Sequence, residues 1–239
     1  MKLLKLNRLE DFVLFNFLAK HKQNAIEIME AGEGYVVPGI VASDFAEIAT
    51  GINKVKEIKE AAPIVSIGLG EGGNSENWHR ALKIAADSNP GHLNQPFEMA
   101  GYSRGYLDAL EISQMVNGLV APSGRVGFVK LPTGMELTVE ELVELAVYIG
   151  VESIKFMPLN GLEHLEELIY LCKVAARKGI KAVEPAGGIS TDNIAEIVSS
   201  VQNCGIPLFM PHIFGSTIDK RTGETVPSKV AEIISLVRR

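Results

Sequence analysis

The 239-residue chain is short of several things that would announce a function. It has two cysteines, Cys172 and Cys204, and they form no CxxC pair or metal-type cluster. A thiolate metal site is therefore not expected, and both read as buried free thiols on helices. It has no excess of positive charge. The 23 Lys and Arg against 29 Asp and Glu leave a formal net charge of −6, which argues against nucleic acid or an anionic membrane as partner. It has no apolar run of the length that spans a membrane. Residues 1–22, "MKLLKLNRLEDFVLFNFLAKHK", are apolar but broken by Asn, Arg, Glu and Asp, and lack a small-residue cleavage site. A signal peptide is thus not expected, and the cytoplasm is the expected location. His21, His79, His92 and His164 share no metal-ligand spacing. No linker or low-complexity segment divides the chain, so residues 1–239 read as a single domain.

What is present is a composition of 46% hydrophobic and 22% charged residues, that of a soluble globular protein with a sizeable core. Short apolar runs alternate with amphipathic stretches. Strands are expected at 35–42, 63–70, 92–97, 117–122, 125–132, 153–158, 180–188 and 206–213. Between them lie helical stripes such as Leu165, Leu168, Ile169, Cys172 and Ala176, closed by Gly179. Two helices carry capping-box spacing, Asp44 with Glu47 and Thr138 with Glu141. A further helix is expected from about Ser103 to Met115. Eight strands mostly separated by helices predict a parallel sheet closed into a (β/α)₈ TIM barrel. The segment before residue 34 is expected to be a helical extension that plugs the lower end of the barrel or joins an oligomer. An open doubly wound sheet is the second choice, disfavoured because "GLGEGG" (68–73) has the wrong spacing for a dinucleotide fingerprint.

In such a barrel the chemistry sits at the C-terminal ends of the strands. Side chains alternate along a strand. In "SIKFMP" (153–158) this sends Ser153, Lys155 and Met157 inward, in "RVGFVKLP" (125–132) Phe128 and Lys130, and in "IKAVEPAGG" (180–188) Ala182, Glu184 and Ala186. Three successive strands then deliver Lys130, Lys155 and Glu184 to one cavity. A normal lysine is neutral in roughly one molecule in a few thousand at pH 7, and attack on a ketone needs the neutral form. Desolvation and a neighbouring cation both lower the pKa. The alternative is a buried Lys–Glu ion pair that fills a barrel layer, but two lysines and one carboxylate do not pair off. "GGISTDN" (187–193) ends a strand on two glycines and opens a helix on Ser, Thr and Asp, a setting whose backbone N–H groups bind anions. His212, ending the last strand, reads equally as a substrate contact or a satisfied core histidine.

"KFMP" at 155–158 followed by "PAGGI" at 185–189 resembles the class I aldolases that cleave 2-keto-3-deoxy-6-phosphogluconate or 4-hydroxy-2-oxoglutarate, in a divergent branch. The resemblance covers the second half of the chain well and the first half poorly. "PIVSIGLG" (63–70) lacks the carboxylate those enzymes carry on their second strand, and Ala186 stands where Thr is usual. The resemblance implies a Schiff base on Lys155, with Glu184 as acid/base. It implies a small keto-acid sugar phosphate as substrate, with Lys130 binding its carboxylate or tuning Lys155 and Gly187, Gly188 and Ser190 holding its phosphate; His212 stands as a candidate substrate contact beside them. It implies no metal and no cofactor; assembly into a homo-oligomer is expected because barrels of this size commonly assemble. Two other readings stay open. One is a sugar-phosphate epimerase or synthase with Glu184 as base; the other is a non-catalytic sugar-phosphate sensor.

Overall fold

The computed structural model describes residues 2–238. Eight parallel strands form one curled sheet: β1 (Phe15–Leu18), β2 (Val36–Val41), β3 (Val65–Gly68), β4 (Gly91–Pro96), β5 (Met115–Pro122), β8 (Ser153–Phe156), β9 (Ala182–Pro185) and β10 (Leu208–Phe209). The two missing numbers, β6 (Phe128–Lys130) and β7 (Glu136–Thr138), are an antiparallel hairpin that leaves the sheet after β5. Neighbours in the sheet are also neighbours in the chain, as short right-handed crossovers favour. The first and last strands meet through single parallel bridges, Val13 with Phe209 and Asn16 with His212.

Eight helices cover the sheet: α1 (Lys22–Ala31), α2 (Ile48–Lys59), α3 (Trp78–Ser88), α4 (Phe97–Ala109), α5 (Val139–Tyr148), α6 (Leu165–Lys178), α7 (Ile194–Val201) and α8 (Pro227–Val237). Local chemistry sets their ends. The Thr138 hydroxyl accepts from Glu141 N–H while the Glu141 carboxylate accepts from Thr138 N–H, the expected capping box of α5. Gly179 closes α6 in the left-handed conformation at φ 87°. The Asp44–Glu47 box does not form: Asp44 ends a 3₁₀ turn, and α2 begins four residues later. α4 begins at Phe97 directly after β4 and ends at Ala109, six residues earlier at each end than the span expected from Ser103 to Met115.

The core has two parts. A large cluster fills the layer between sheet and helices, with Phe15, Phe17, Ile154, Phe156 and Val183 from the strands. A small one lies inside the sheet's curl at the N-terminal ends of the strands, where Val37, Met115, Ala182 and Leu208 meet Leu3. The expected helical extension is not what precedes residue 34. It is one 3₁₀ turn at Leu3–Lys5, then β1, then α1. Leu3 does occupy the lower end.

The expected strand at 125–132 is replaced as a member of the sheet by β1. Gly124 and Gly127, both with positive φ, turn the chain back after β5, and residues 128–130 pair antiparallel with its end. β1 is only four residues, Phe-Asn-Phe-Leu, all but Leu18 buried, and so short a run does not establish a strand period in the sequence.

Candidate functional site

A cavity of about 670 Å³ opens at the C-terminal ends of the strands. Lys155 reaches it from β8, Asn94 from β4 and His212 from the segment after β10. The parallel register places Lys155 beside Glu184 and Leu119, Asn94 beside Asn117, and Ser66 beside His92. The register spreads these polar side chains over three successive rungs, Ser66–His92, Asn94–Asn117–Ser153 and Lys155–Glu184, which face one another inside the curl of the sheet.

These side chains form a closed ring. The Lys155 amine lies 2.9 Å from Asn94 Oδ1 and 3.0 Å from His212 Nδ1. His212 Nε2 lies 2.8 Å from Glu184 Oε2, and His92 Nε2 lies 3.0 Å from Glu184 Oε1. His92 Nδ1 is 2.8 Å from the Ser66 hydroxyl, which accepts from Asn94 Nδ2 at 3.1 Å. The carboxylate only accepts, and this sets the direction of every bond. His212 donates from Nε2 to Glu184, so its Nδ1 is bare and accepts from Lys155. On the other arm Asn94 donates to Ser66, Ser66 to His92 and His92 to Glu184. Asn117 Nδ2, at 2.8 Å, and the Ser153 hydroxyl complete the donors around Glu184.

The electrostatics follow from this arrangement. Burial pushes the Lys155 amine down from its ordinary value to about 8, against the opposing pull of the Glu184 charge. Burial, with the Lys155 charge beside it, pushes His212 down to about 3 despite its bond to Glu184. Burial works to raise the Glu184 carboxyl, but the two histidines outweigh it and hold the group well below the usual carboxylate range. At neutral pH the shared proton therefore rests on Lys155, His212 is a neutral acceptor beside it, and Glu184 stays an anion behind them.

The sequence-predicted residues fall into three groups. Lys155 and His212 meet in the cavity, and Gly187, Gly188 and Ser190 line its other wall. Glu184 is inward and beside Lys155 as expected, but it is fully buried, held by four donors and absent from the cavity surface. It therefore does not reach the cavity itself, and its contact with the cavity lining runs through His212. Lys130 is not in the site. It sits exposed on the β6–β7 hairpin while Val129 takes the buried face, because that hairpin runs outside the sheet. Sequence reasoning missed Asn94, Asn117, Ser66 and His92. The signal was the pattern of polar residues within otherwise apolar strands, "SIG", "HLNQ" and "VNG".

At the cradle wall, Gly188 has φ +70°, and a Cβ there would stand 2.4 Å from Gly161 N, so only glycine lets the two loops approach. Among the described residues, the backbone N–H groups of Gly188, Ile189, Gly215 and Ser216 donate to no other group. They border the cavity between the ends of β9 and β10. Among the described residues no group of three or more His, Cys, Asp or Glu could hold a metal ion, and no helix is long and apolar enough to cross a membrane.

Fold and site together define an α/β protein with a buried amine in the cavity at the C-terminal ends of its strands. The chain belongs to the KDGP aldolase family, whose model matches residues 9–221. It is accordingly an aldolase, a carbon–carbon lyase performing retro-aldol cleavage. It is 36% identical over 235 residues to the 2-dehydro-3-deoxy-phosphogluconate aldolase of Salmonella typhimurium (strain 14028s / SGSC 2262), covering 95% of both chains. Among solved structures it resembles thiamine phosphate pyrophosphorylase from Pyrococcus furiosus, with a TM-score of 0.61, 10% identity and 96% of both chains covered. It also resembles the carboxyl transferase domain of Rhizobium etli pyruvate carboxylase with pyruvate, with a TM-score of 0.57, 12% identity, and 99% of this chain and 47% of that one covered. These two likenesses concern the fold alone.

Proposed function

We propose that this aldolase cleaves 2-keto-3-deoxy-6-phosphogluconate to pyruvate and glyceraldehyde 3-phosphate through a Schiff base on Lys155. The observation that carries the reading is a lysine 5% exposed in a cavity, with its pKa down at about 8 and a bare histidine nitrogen 3.0 Å away. His212 Nδ1 takes the ammonium proton; the Lys155 charge that helps depress the histidine is lost with that transfer, and Glu184 steadies the imidazolium that results. The freed amine attacks the C2 ketone. His212 returns the proton to the carbinolamine oxygen, which leaves as water, and an iminium remains.

Neutral again, His212 removes the C4 hydroxyl proton. The C3–C4 bond breaks, its electron pair moves into the enamine, and the aldehyde departs. Protonation at C3 and addition of water release pyruvate and restore the amine. The iminium draws the electrons, so no metal is called upon. The unpaired amides of Gly188, Ile189, Gly215 and Ser216 suit the phosphate end, as does their place beyond the last two strands.

The same reading takes the sheet as a closed (β/α)₈ barrel. Leu14 N–H bonds to Phe209 O at 3.1 Å and Ile213 N–H to Asn16 O at 2.9 Å, which supports closure. It also expects a cytoplasmic enzyme, assembled with copies of itself, that works on a small keto-acid sugar phosphate without a cofactor. The test is intact mass and peptide mapping after treatment with pyruvate and borohydride. A single reduced adduct on Lys155 is expected. A folded protein that forms none at saturating pyruvate refutes the mechanism.

A further inference from the structure

A phosphate dianion in the cradle meets neutral amides, in a cavity that Asp44 and Glu71 also line. The Ser190 hydroxyl donates to the Asp192 carboxylate at 3.4 Å, which sets a negative group beside the same wall. Lys155 is the one lysine on the cavity surface and is engaged with Asn94 and His212. The described cavity surface itself therefore offers the cradle no free positive charge.

Lys229 supplies one. It stands in the first turn of α8, half-buried, and its amine donates to the backbone carbonyl of Ser216 at 2.6 Å. Ser216 lines the cavity, and its hydroxyl donates to Ile189 O at 2.8 Å, which ties the two cradle loops together. Among the described residues Lys229 has no carboxylate partner; that carbonyl is its one hydrogen-bond acceptor. An anion held by Ser216 N–H would lie within roughly 8 Å of the Lys229 amine, counting one residue and one hydrogen bond beyond the contact seen. That is about one Debye length at physiological salt, so the attraction survives but is salt-sensitive.

We infer that Lys229 is a specificity-determining residue that makes this site prefer a substrate with a phosphorylated aldehyde end. It acts from behind the cradle, through its charge and by fixing Ser216, without lining the cavity. The inference rests on the phosphate cradle of the proposed function.

The test measures binding of inorganic phosphate by calorimetry at low salt for wild type, Lys229→Met, Lys229→Arg and Lys220→Met. The last removes the same charge from the exposed loop before α8. Lys229→Met is expected to bind phosphate about tenfold more weakly, equivalent to about 1.4 kcal/mol. Lys229→Arg should restore most of the loss, and Lys220→Met should behave as wild type. The ratio of kcat/KM for 2-keto-3-deoxy-6-phosphogluconate to that for its unphosphorylated analogue should fall about tenfold in Lys229→Met. Lys229→Gln serves in its place if the Met variant does not fold. Unaltered phosphate binding in Lys229→Met, or an equal loss in Lys220→Met, overturns the role of Lys229 and leaves the cradle standing. A wild-type enzyme that binds no phosphate overturns the cradle, and Lys229 with it.

Discussion

Replacing Glu184 by Gln changes one atom and should nearly stop the enzyme. The carboxylate accepts from His92 at 3.0 Å, from His212 and Asn117 at 2.8 Å, and from the Ser153 hydroxyl. All four partners are donors. An amide offers one acceptor oxygen, and its NH₂ must face either the His92–Ser153 pair or the His212–Asn117 pair. In the second orientation His212 has to swap tautomers, which puts an N–H against the Lys155 amine. In either orientation the anion that steadies the His212 imidazolium is gone. An ion pair at about 4 Å is worth about 4 kcal/mol at the effective dielectric of a protein site. Losing most of it predicts a fall in kcat of about 10²–10³-fold. The assay is pyruvate release followed continuously with lactate dehydrogenase and NADH, with a circular-dichroism spectrum to show that the variant is folded. A folded Glu184→Gln enzyme with kcat within tenfold of wild type would refute the argument that the carboxylate works through His212.

Two further outcomes are expected. Adduct formation with a fixed concentration of pyruvate should quicken about tenfold per pH unit below pH 8 and flatten above it. The amine is protonated below its pKa of about 8 and neutral above, whereas an ordinary lysine would keep gaining to beyond pH 10. A rate that still climbs steeply between pH 9 and 10 contradicts the lowered pKa. Lys130→Ala should retain kcat/KM within about twofold, as exposed substitutions away from a site usually do. A tenfold loss would mean that the β6–β7 hairpin folds over the cavity during turnover.

How much could be read beforehand is clearest from single elements. The alternation Ser153, Lys155, Met157 against Ile154, Phe156 has period two, and no other arrangement puts both apolar residues in the helix layer. Ala182, Glu184, Ala186 follows the same rule. The Thr138–Glu141 cap and the Gly179 stop depend on neighbours within four residues, so they too were legible. β1 and β6 were not. A four-residue strand is too short to set a period of its own, and whether "FVK" at 128–130 joins the parallel sheet or folds back depends on where the chain goes next.

The sequence by itself determined the α/β alternation, the inward lysine on its strand, the glycines of the cradle and the family. These are properties of local pattern and of residues close together in the chain. Only the tertiary structure decided which groups surround the lysine. Asn94, His212, Glu184 and His92 lie between 26 and 92 positions from their partners in the ring, and only the curled sheet brings them together. The fold also buried Glu184 behind His212 instead of exposing it to the cavity. It took Lys130 out of the site, because a strand that leaves the sheet takes its side chains with it.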